Sequence, residues 1–416
     1  MAEAEPAPTP APEPGSGSTP EPRPRRLSPG RTDWSTWPVY ERAALGLRNF
    51  WYPVAWSEDL REAKPIPVTL LGERVALVRD AGKAYALHDR CPHRGVPLSL
   101  GSQQFPGTIS CPYHGWTYRL PDGVMCAAIT DGPESPITGK VRVRTYPVEE
   151  RLGLVWVFAG DLDAKPPPVE EDIPEELLGR PLSIGGRIQP GRAGNWRYAA
   201  ENGFDEGHAK YLHRDSLWAM FRQLPVWNDT KVTRSPDNRW VIRKQQSVHW
   251  EDTFPGLGPW SQARWWKVVR TAPTPRAARS VDPVIASLDL PAKASVRLPY
   301  ILRIAYPRFI HYEWAVPEDA DHHRYVQVLV SFTEGLSAQL FRMAYLGYIR
   351  WAFHGQFTGQ DAWMVDVMNI PPERLYRPDA SVIEWRKLVE EQHRETGPAP
   401  PRRRARATGG PASPAG

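Results

Sequence analysis

Two short stretches of this chain determine most of what it can be: Cys91-Pro92-His93-Arg94-Gly95 and Cys111-Pro112-Tyr113-His114-Gly115-Trp116. Each stretch places a histidine two or three residues after a cysteine, and seventeen residues separate His93 from Cys111. The prolines and glycines beside these side chains favour tight loops. The pattern therefore predicts two loops that together present two thiolates and two imidazoles to a metal centre.

Such a ligand set suits either structural zinc or a Rieske [2Fe–2S] cluster. Zinc modules normally pair Cys with Cys and His with His, whereas each half-site here mixes the two. In a Rieske cluster one iron carries two cysteines and the other two histidines, and the imidazoles raise the reduction potential. We therefore predict a Rieske cluster and an electron-transfer protein, or an oxidase fed by electrons. The predicted cluster ligands are Cys91, His93, Cys111 and His114.

Length and composition set further limits. At 416 residues the chain is long enough for two domains, and of its three cysteines only Cys126 is outside the predicted cluster, which leaves no disulfide to form. This cysteine usage fits a reducing cytosol. No signal segment opens the sequence and no apolar run approaches about 18 residues. We expect a cytoplasmic protein without a membrane span.

The sequence pI of about 9.0 raises the question of nucleic-acid binding. The excess of positive charge is concentrated in residues 397–416, which contain four arginines and no acidic residue. The rest of the chain lacks a basic stripe of the kind that binds phosphates. We therefore expect no nucleic-acid partner.

The composition and residue patterns of the sequence predict two tails, two domains and an α+β fold. Residues 1–33 and 396–416 are rich in Pro and poor in apolar side chains, which predicts disordered tails. Between residues 51 and 160, short β-runs separated by turn signals such as Asp80-Ala81-Gly82 predict a small antiparallel domain around the cluster. Residues 161–395 combine β-runs with helical stretches at about 195–212, 337–367 and 380–393, and predict a second domain with an antiparallel sheet and long helices.

A second constellation lies in the segment from Glu201 to His213. Its histidines, His208 and His213, are five residues apart, so they converge only if the helix ends, bends or bulges between them. Asp205 is three residues before His208, on the same helical face. With a carboxylate from elsewhere, the pair of histidines would complete the two-His, one-carboxylate triad of non-haem iron oxygenases.

With these residues in place, the sequence resembles the oxygenase (alpha) component of the Rieske non-haem iron aromatic-ring oxygenases. It is most similar to their carbazole 1,9a-dioxygenase and 2-oxoquinoline 8-monooxygenase branch. The resemblance covers most of residues 45–390, except for about 220–300. The matching stretches are residues 47–54, 70–73, 89–96, 195–197, 201–205 and 384–388.

The resemblance implies roles for individual residues. His208 and His213 would bind a mononuclear Fe(II), and Asp361 would be the third ligand, with Asp366 as the competing choice. Asp205 would be a bridging carboxylate between His208 and the His114 of a neighbouring subunit. It implies that residues 34–50 belong to the catalytic domain, which would have the helix-grip type of fold, and that the protein is a head-to-tail homotrimer.

The implied activity is that of a terminal oxygenase. It would use O2 and electrons from a ferredoxin or ferredoxin reductase to oxygenate an aromatic or heteroaromatic substrate, since no glycine-rich nucleotide motif is present. Two alternatives remain open at this point. One is a tailoring oxygenase of specialised metabolism that hydroxylates, dealkylates or cyclises, and the other is a Rieske electron carrier without oxygenase activity.

Overall fold

The fold was obtained as a computed structural model, which describes residues 33–205, 207–215, 226–249, 253–254, 258–259, 294–306 and 309–394. The two predicted tails fall almost entirely outside these ranges. The described chain combines antiparallel sheets with several helices, so the predicted α+β class is confirmed. Within these ranges, no helix is both long enough and apolar enough to cross a bilayer.

Ten strands form three small antiparallel sheets in the first half of the chain. Their orders are β1-β10-β9, β2-β3-β4-β8 and β5-β6-β7. The strands are β1 (Phe50–Trp56), β2 (Ile66–Leu70), β3 (Glu73–Asp80), β4 (Lys83–His88), β5 (Thr108–Ser110), β6 (Trp116–Arg119), β7 (Met125–Ala128), β8 (Thr145–Tyr146), β9 (Val148–Arg151) and β10 (Leu154–Ala159).

Tight turns fix the register of these strands. The hairpin between β3 and β4 pairs Asp80 with Lys83, and both intervening residues, Ala81 and Gly82, have positive φ angles of 50° and 77°. Positive φ at both central positions is the geometry that matches the twist of a two-residue hairpin. The predicted Asp80-Ala81-Gly82 turn is therefore present. The cluster loops follow β4 and connect β5 to β6, so strands hold both ends of the second loop.

The second half of the chain is built on one antiparallel sheet of seven strands, in the order β11-β19-β18-β17-β16-β13-β12. Strands β18 and β19 are buried along almost their whole length and lie side by side between β11 and β17. A separate two-stranded ribbon pairs β14 with β15. The strands are β11 (Ser183–Ala193), β12 (Val226–Arg234), β13 (Val241–His249), β14 (Thr253–Phe254), β15 (Gly258–Pro259), β16 (Ala294–Arg297), β17 (Ile301–Ala305), β18 (Ile310–Pro317) and β19 (His322–Ser331).

Helices pack beside this sheet and carry the second constellation. They are α1 (Pro38–Arg42), α2 (Trp196–Phe204), α3 (Gly207–Tyr211), α4 (Gly335–Ala344), α5 (Thr358–Val367) and α6 (Ala380–Gln392). A π-helical segment, Tyr345–Phe357, joins α4 to α5 without interruption. The predicted helices at 337–367 and 380–393 are thus present, although the wide turns of the first were not predicted.

The predicted helix at 195–212 differs from the structure. It divides into α2 and α3 because Asp205 adopts an extended backbone, with φ −67° and ψ 135°. The Asp205 side chain then accepts hydrogen bonds from the backbone N–H groups of Gly207 (2.8 Å) and His208 (2.9 Å). A carboxylate in this position satisfies N–H groups that the first turn of a helix leaves unpaired. The aspartate therefore ends one helix and begins the next.

A buried ion pair attaches α2 to α6. The guanidinium of Arg386 donates to both carboxylate oxygens of Glu201, at 2.7 and 2.8 Å, and also to Glu373. The Arg386 side chain is completely buried and that of Glu201 nearly so. Bidentate pairing of this kind fixes both distance and orientation. It holds α2 one helical turn before Asp205.

We predict that Arg386→Met destabilises the protein by about 3–5 kcal/mol, because removing one member of a buried ion pair leaves the charge of Glu201 without a partner. The free energy of unfolding, measured by urea denaturation, checks this value. Lys387→Met is the matched control, since Lys387 is exposed and pairs only at the surface with Glu384, where the expected change is about 0–1 kcal/mol. Equal effects of the two substitutions would contradict the role of the buried pair.

Candidate metal centres

The two cluster loops have the same backbone construction. In the first, the N–H of Cys91 donates to Val96 and that of Gly95 to Cys91, both at 2.8 Å. In the second, Cys111 donates to Trp116 at 2.8 Å and Gly115 to Cys111 at 3.1 Å. Two unrelated stretches of chain therefore form one type of turn, each with its cysteine at the first position.

Glycine is required at the end of each turn. Gly95 and Gly115 have φ angles of 75° and 63°, a region that side chains rarely adopt. A Cβ on Gly95 would lie 2.8 Å from the guanidinium of Arg90, and one on Gly115 would lie 3.0 Å from Ile129. The glycines in the sequence motif are thus explained by backbone geometry and close packing.

The four predicted ligands come together as two pairs at one end of the small domain. Cys91 and Cys111 are buried and adjacent, and burial together with the neighbouring thiol raises the pKa of Cys111. The rings of His93 and His114 lie 4.6 Å apart between centroids, and His93 is exposed. Trp116 stacks on His93 at 4.6 Å with an interplanar angle of 7°. The sulfur side faces the interior, while the imidazole side faces the surface.

The surroundings of these four side chains suit a bound Rieske cluster better than they suit two metal-free cysteines. A buried thiol with a raised pKa is unfavourable as a thiolate on its own, whereas bound iron stabilises the thiolate outright. Two imidazoles at the surface match the histidine-bound iron. When bound, the cluster supplies single electrons at a potential set in part by hydrogen bonds to its sulfurs.

One hydrogen bond of that kind is present. The hydroxyl of Tyr118 lies 3.3 Å from the sulfur of Cys91, in a buried environment. Burial and the nearby thiol raise the pKa of Tyr118 far above its usual value, so the phenol stays protonated. Because a metal-bound thiolate has no proton to give, Tyr118 would be the donor to Cys91.

The second centre consists of His208, His213 and Asp361, whose ligand atoms all lie within 4.8 Å of one another. The Nε2 atoms of His208 and His213 are 3.3 and 3.1 Å from the same oxygen, Oδ1 of Asp361. His213 and Asp361 are buried and His208 is partly so. Two imidazoles and one carboxylate that converge in this way form a facial triad, which leaves coordination positions open on Fe(II).

The histidines converge because the helix changes its form between them. Residues five apart on a regular α-helix project about 140° apart. Here α3 ends at Tyr211 and the chain continues as a tighter 3-10 turn, Leu212–Asp215, which carries His213. The predicted requirement for an end or bend between His208 and His213 is met by this change of helix type.

The other ring nitrogen of each histidine has its own partner. Nδ1 of His208 lies 3.1 Å from Oδ2 of Asp205, and Nδ1 of His213 lies 3.0 Å from Oε1 of Gln360. Both partners are acceptors, so each Nδ1 carries the proton and each Nε2 keeps its lone pair for the metal. This arrangement orients both rings toward Asp361.

The protonation state of the triad also suits a cation. Burial alone would lower the pKa of His208, but the hydrogen bonds that its ring donates to Asp205 and Asp361 outweigh burial and raise that pKa to about 10. Burial would likewise raise the pKa of Asp361, yet the bonds from His208 and His213 hold it well below its usual value. The site thus concentrates negative charge that a divalent metal neutralises in place of the proton.

Asp366, the competing third ligand, lies elsewhere. Its carboxylate forms an ion pair with Arg192 at 3.5 Å and is outside the group of converging ligand atoms. The geometry thus favours Asp361 over Asp366. Two other histidines, His322 and His323, also lie away from the triad: His322 pairs with Asp319, and His323 bonds to the carbonyl of Gly194.

Three further side chains contact the triad. Gln360 orients His213, and Asn202 donates to Oδ1 of Asp361 at 3.2 Å. Phe357 stacks on the His213 ring at 3.8 Å between centroids. Phe357 and Gln360 lie within one turn of Asp361. Their closeness in sequence to this predicted ligand is the feature by which they could have been identified from the sequence. Lys210 and Arg214 are close in sequence to the two histidines, and their side chains lie outside the described residues.

Comparison with known proteins agrees with both centres. The model of the Rieske [2Fe–2S] domain matches residues 50–147, and that of the homotrimeric ring hydroxylases matches residues 158–396. The terminal oxygenase component of carbazole 1,9a-dioxygenase from Sphingomonas sp. is 34% identical over 86% of this chain and 95% of its own length. The corresponding protein from Metapseudomonas resinovorans is 33% identical over 86% and 94%.

Solved structures give the same result. The terminal oxygenase of carbazole 1,9a-dioxygenase from Nocardioides aromaticivorans IC177 superimposes with a TM-score of 0.72 at 29% identity, covering 87% of this chain and 98% of that one. Fold and site together define an iron-dependent oxygenase of the Rieske class. More narrowly, the chain belongs to the homotrimeric ring hydroxylase family and is the terminal oxygenase of a Rieske system.

We predict that Asp361→Ala removes the mononuclear iron but keeps the cluster, because the triad loses its only carboxylate while the Rieske loops are untouched. Iron analysis should show a loss of about one iron per chain, with the Rieske EPR signal retained. Asp366→Ala is the matched control and should keep the full iron content. Loss of iron from the Asp366 variant alone would reverse the choice between the two carboxylates.

We also predict that Tyr118→Phe lowers the reduction potential of the cluster by roughly 40 mV, since a hydrogen bond of about 1 kcal/mol that favours the reduced form corresponds to that value for one electron. A spectroscopic redox titration of the purified protein measures the change. Tyr113→Phe is the control, because Tyr113 is exposed and contacts the ring face of His114 instead of a sulfur. An unchanged potential in the Tyr118 variant would remove this role.

Proposed function

We propose that this oxygenase takes electrons from a ferredoxin, or directly from a ferredoxin reductase, and uses O2 to oxygenate an aromatic or heteroaromatic substrate. The observation that carries the proposal is the converging triad of His208, His213 and Asp361, buried beside aromatic side chains such as Phe357. Related oxygenases of carbazole 1,9a-dioxygenase have been solved in complex with ferredoxin and with carbazole or fluorene bound. These relatives support a planar substrate and a protein electron donor.

In this proposal the residues of the two metal centres have distinct roles: some bind metal and others orient the ligands. Cys91, Cys111, His93 and His114 hold the cluster, and His208, His213 and Asp361 hold Fe(II), which when bound supplies open coordination positions for O2 activation. Asp205 and Gln360 keep the two histidine rings oriented, and Asn202 does the same for Asp361. The stacked Phe357 limits the access of water to His213.

Asp205 is proposed as the connection between protomers. Its Oδ1 binds one backbone N–H and its Oδ2 binds His208, while 24% of its side-chain surface is exposed. Burial favours the neutral acid, but the hydrogen bonds from His208 hold the pKa of Asp205 below its usual value, so a charged acceptor is kept near the surface. The partly exposed His114 of a neighbouring copy would complete the bridge in a closed head-to-tail trimer.

The proposal also covers the cellular compartment of the enzyme. We place the enzyme in the cytoplasm because its thiols, Cys91, Cys111 and Cys126, are all unpaired and the first two must remain reduced to bind iron. A soluble ferredoxin-type donor belongs to the same compartment.

The test of the activity is turnover by the purified holoenzyme with a surrogate ferredoxin, its reductase and NADH, against a panel of aromatic and heteroaromatic compounds. The expected result is O2 uptake that depends on substrate, with oxygenated product identified by mass spectrometry and labelled from 18O2. NADH-driven reduction of the cluster without product from any compound would instead favour a Rieske electron carrier.

We predict that Asp205→Asn retains both metals but lowers coupled turnover by at least about 100-fold. Asparagine still caps α3 through its side-chain oxygen, so the fold is kept, while the charge that pairs with the imidazoles is lost. Iron content, the Rieske EPR signal and single-turnover rates with a pre-reduced cluster measure the effect.

The control for that variant is Asp319→Asn. Asp319 has the same local arrangement, an aspartate three residues before His322 with both backbone and ring contacts, but it lies in an exposed turn. It should turn over normally. Full activity of the Asp205 variant would exclude the bridging role.

A further inference from the structure

Two buried histidines outside the triad are not explained by the fold. His311 on β18 is 2% exposed and His354 in the π-helical segment is 1% exposed. Their ring centroids are 6.4 Å apart. Histidine is seldom buried completely, and two such rings side by side need polar partners.

Three of their four ring nitrogens have no such partner. Among the residues that the structure describes, none forms a hydrogen bond with either nitrogen of His311 or with Nε2 of His354, while Nδ1 of His354 is 3.4 Å from the hydroxyl of Tyr345. The nearest carboxylate, Glu313, stands 3.7 Å from His311, which is too far for a hydrogen bond. Each unsatisfied buried nitrogen reduces stability, so the arrangement is unfavourable unless something else binds there.

Both rings are neutral. Burial lowers the pKa of His311 to about 3 and that of His354 to about 2. A neutral imidazole offers one donor and one acceptor. The pair therefore matches a ligand group such as N–H, O–H or C=O, and has no charge with which to attract an anion.

The surroundings of the pair are aromatic and continuous with the iron site. His311 contacts Phe353 edge-on at 4.8 Å, and Phe353 stacks with Phe357 at 5.3 Å. Phe357 in turn stacks on the iron ligand His213 at 3.8 Å. A continuous series of aromatic contacts thus connects the triad to the unsatisfied nitrogens, and aromatic surroundings of this kind suit a flat aromatic molecule.

We propose that His311 and His354 form a polar subsite of the substrate site, which hydrogen-bonds a heteroatom group of the aromatic substrate. The chain then selects heteroatom-bearing aromatics over hydrocarbons of the same shape. The inference rests on the proposed function and adds the substrate class. Sites built to hydrogen-bond a ligand discriminate against analogues that leave their buried polar groups unpaired.

The test compares matched ligands on the anaerobic wild-type holoenzyme by equilibrium dialysis. The pairs are carbazole with fluorene, indole with indene, and fluorenone with fluorene, which differ mainly at one position. The expected result is about three- to tenfold tighter binding of the heteroatom-bearing member in at least one pair, as one net hydrogen bond provides. Equal binding within every pair, or no binding of any heteroatom-bearing member, would overturn the proposal.

Substitutions of His311 test whether this side chain causes the tighter binding of heteroatom-bearing ligands. His311→Phe should reduce the ratio of affinities within a pair to about one, and His311→Gln, which keeps a donor and an acceptor, should restore it. His322→Phe is the surface control and should leave the ratio unchanged. A preference that persists in His311→Phe would place the selecting group elsewhere and assign a structural water to His311.

The binding test of the subsite and the turnover test of the proposed function can fail independently of each other. Turnover without any heteroatom preference would leave the oxygenase intact and refute the subsite. Heteroatom-selective binding without oxygenated product would support the subsite and refute the activity.

Discussion

The iron site depends on the interruption of the helix at Asp205, which positions His208. The second histidine, His213, is carried by the 3-10 turn that follows α3. The carboxylate of Asp205 accepts from the N–H groups that begin α3 and, at the same time, from the ring of His208. One side chain therefore sets both the local fold and the orientation of a ligand.

Such an interruption would be mobile without support on either side of it. The N-terminal end of α2 is held by Asn195, whose side-chain N–H groups donate to the carbonyls of Ala44 and Ala320. Its C-terminal half is held by the buried pair of Glu201 with Arg386, and Asn202 connects it to Asp361. Contacts from four distant parts of the sequence thus converge on nine residues. A metal site needs this rigidity because ligand positions must hold to within tenths of an ångström.

The sequence was informative wherever neighbours along the chain determine structure. The Rieske loops, the Asp80-Ala81-Gly82 turn and the need for a bend before His213 all follow from local spacing. The break at Asp205 was not predicted, since aspartate also fits the first turn of a continuous helix. Asp361 was chosen by resemblance, and its convergence with His208 became visible only in three dimensions. His311 had no partner spacing to reveal it, because Phe353 and His354 lie some forty residues away.

The two metal sites make opposite demands on burial, and this difference explains the position of Asp205. The imidazole side of the cluster must lie at the surface to exchange electrons, as the exposed His93 does. The triad must exclude water, as the buried His213 and Asp361 do. A contact between the two therefore requires a residue that touches the buried site and is still reachable from outside. Asp205 combines a bond to His208 with a partly exposed carboxylate, and these are the two properties that the proposed bridge to another protomer requires.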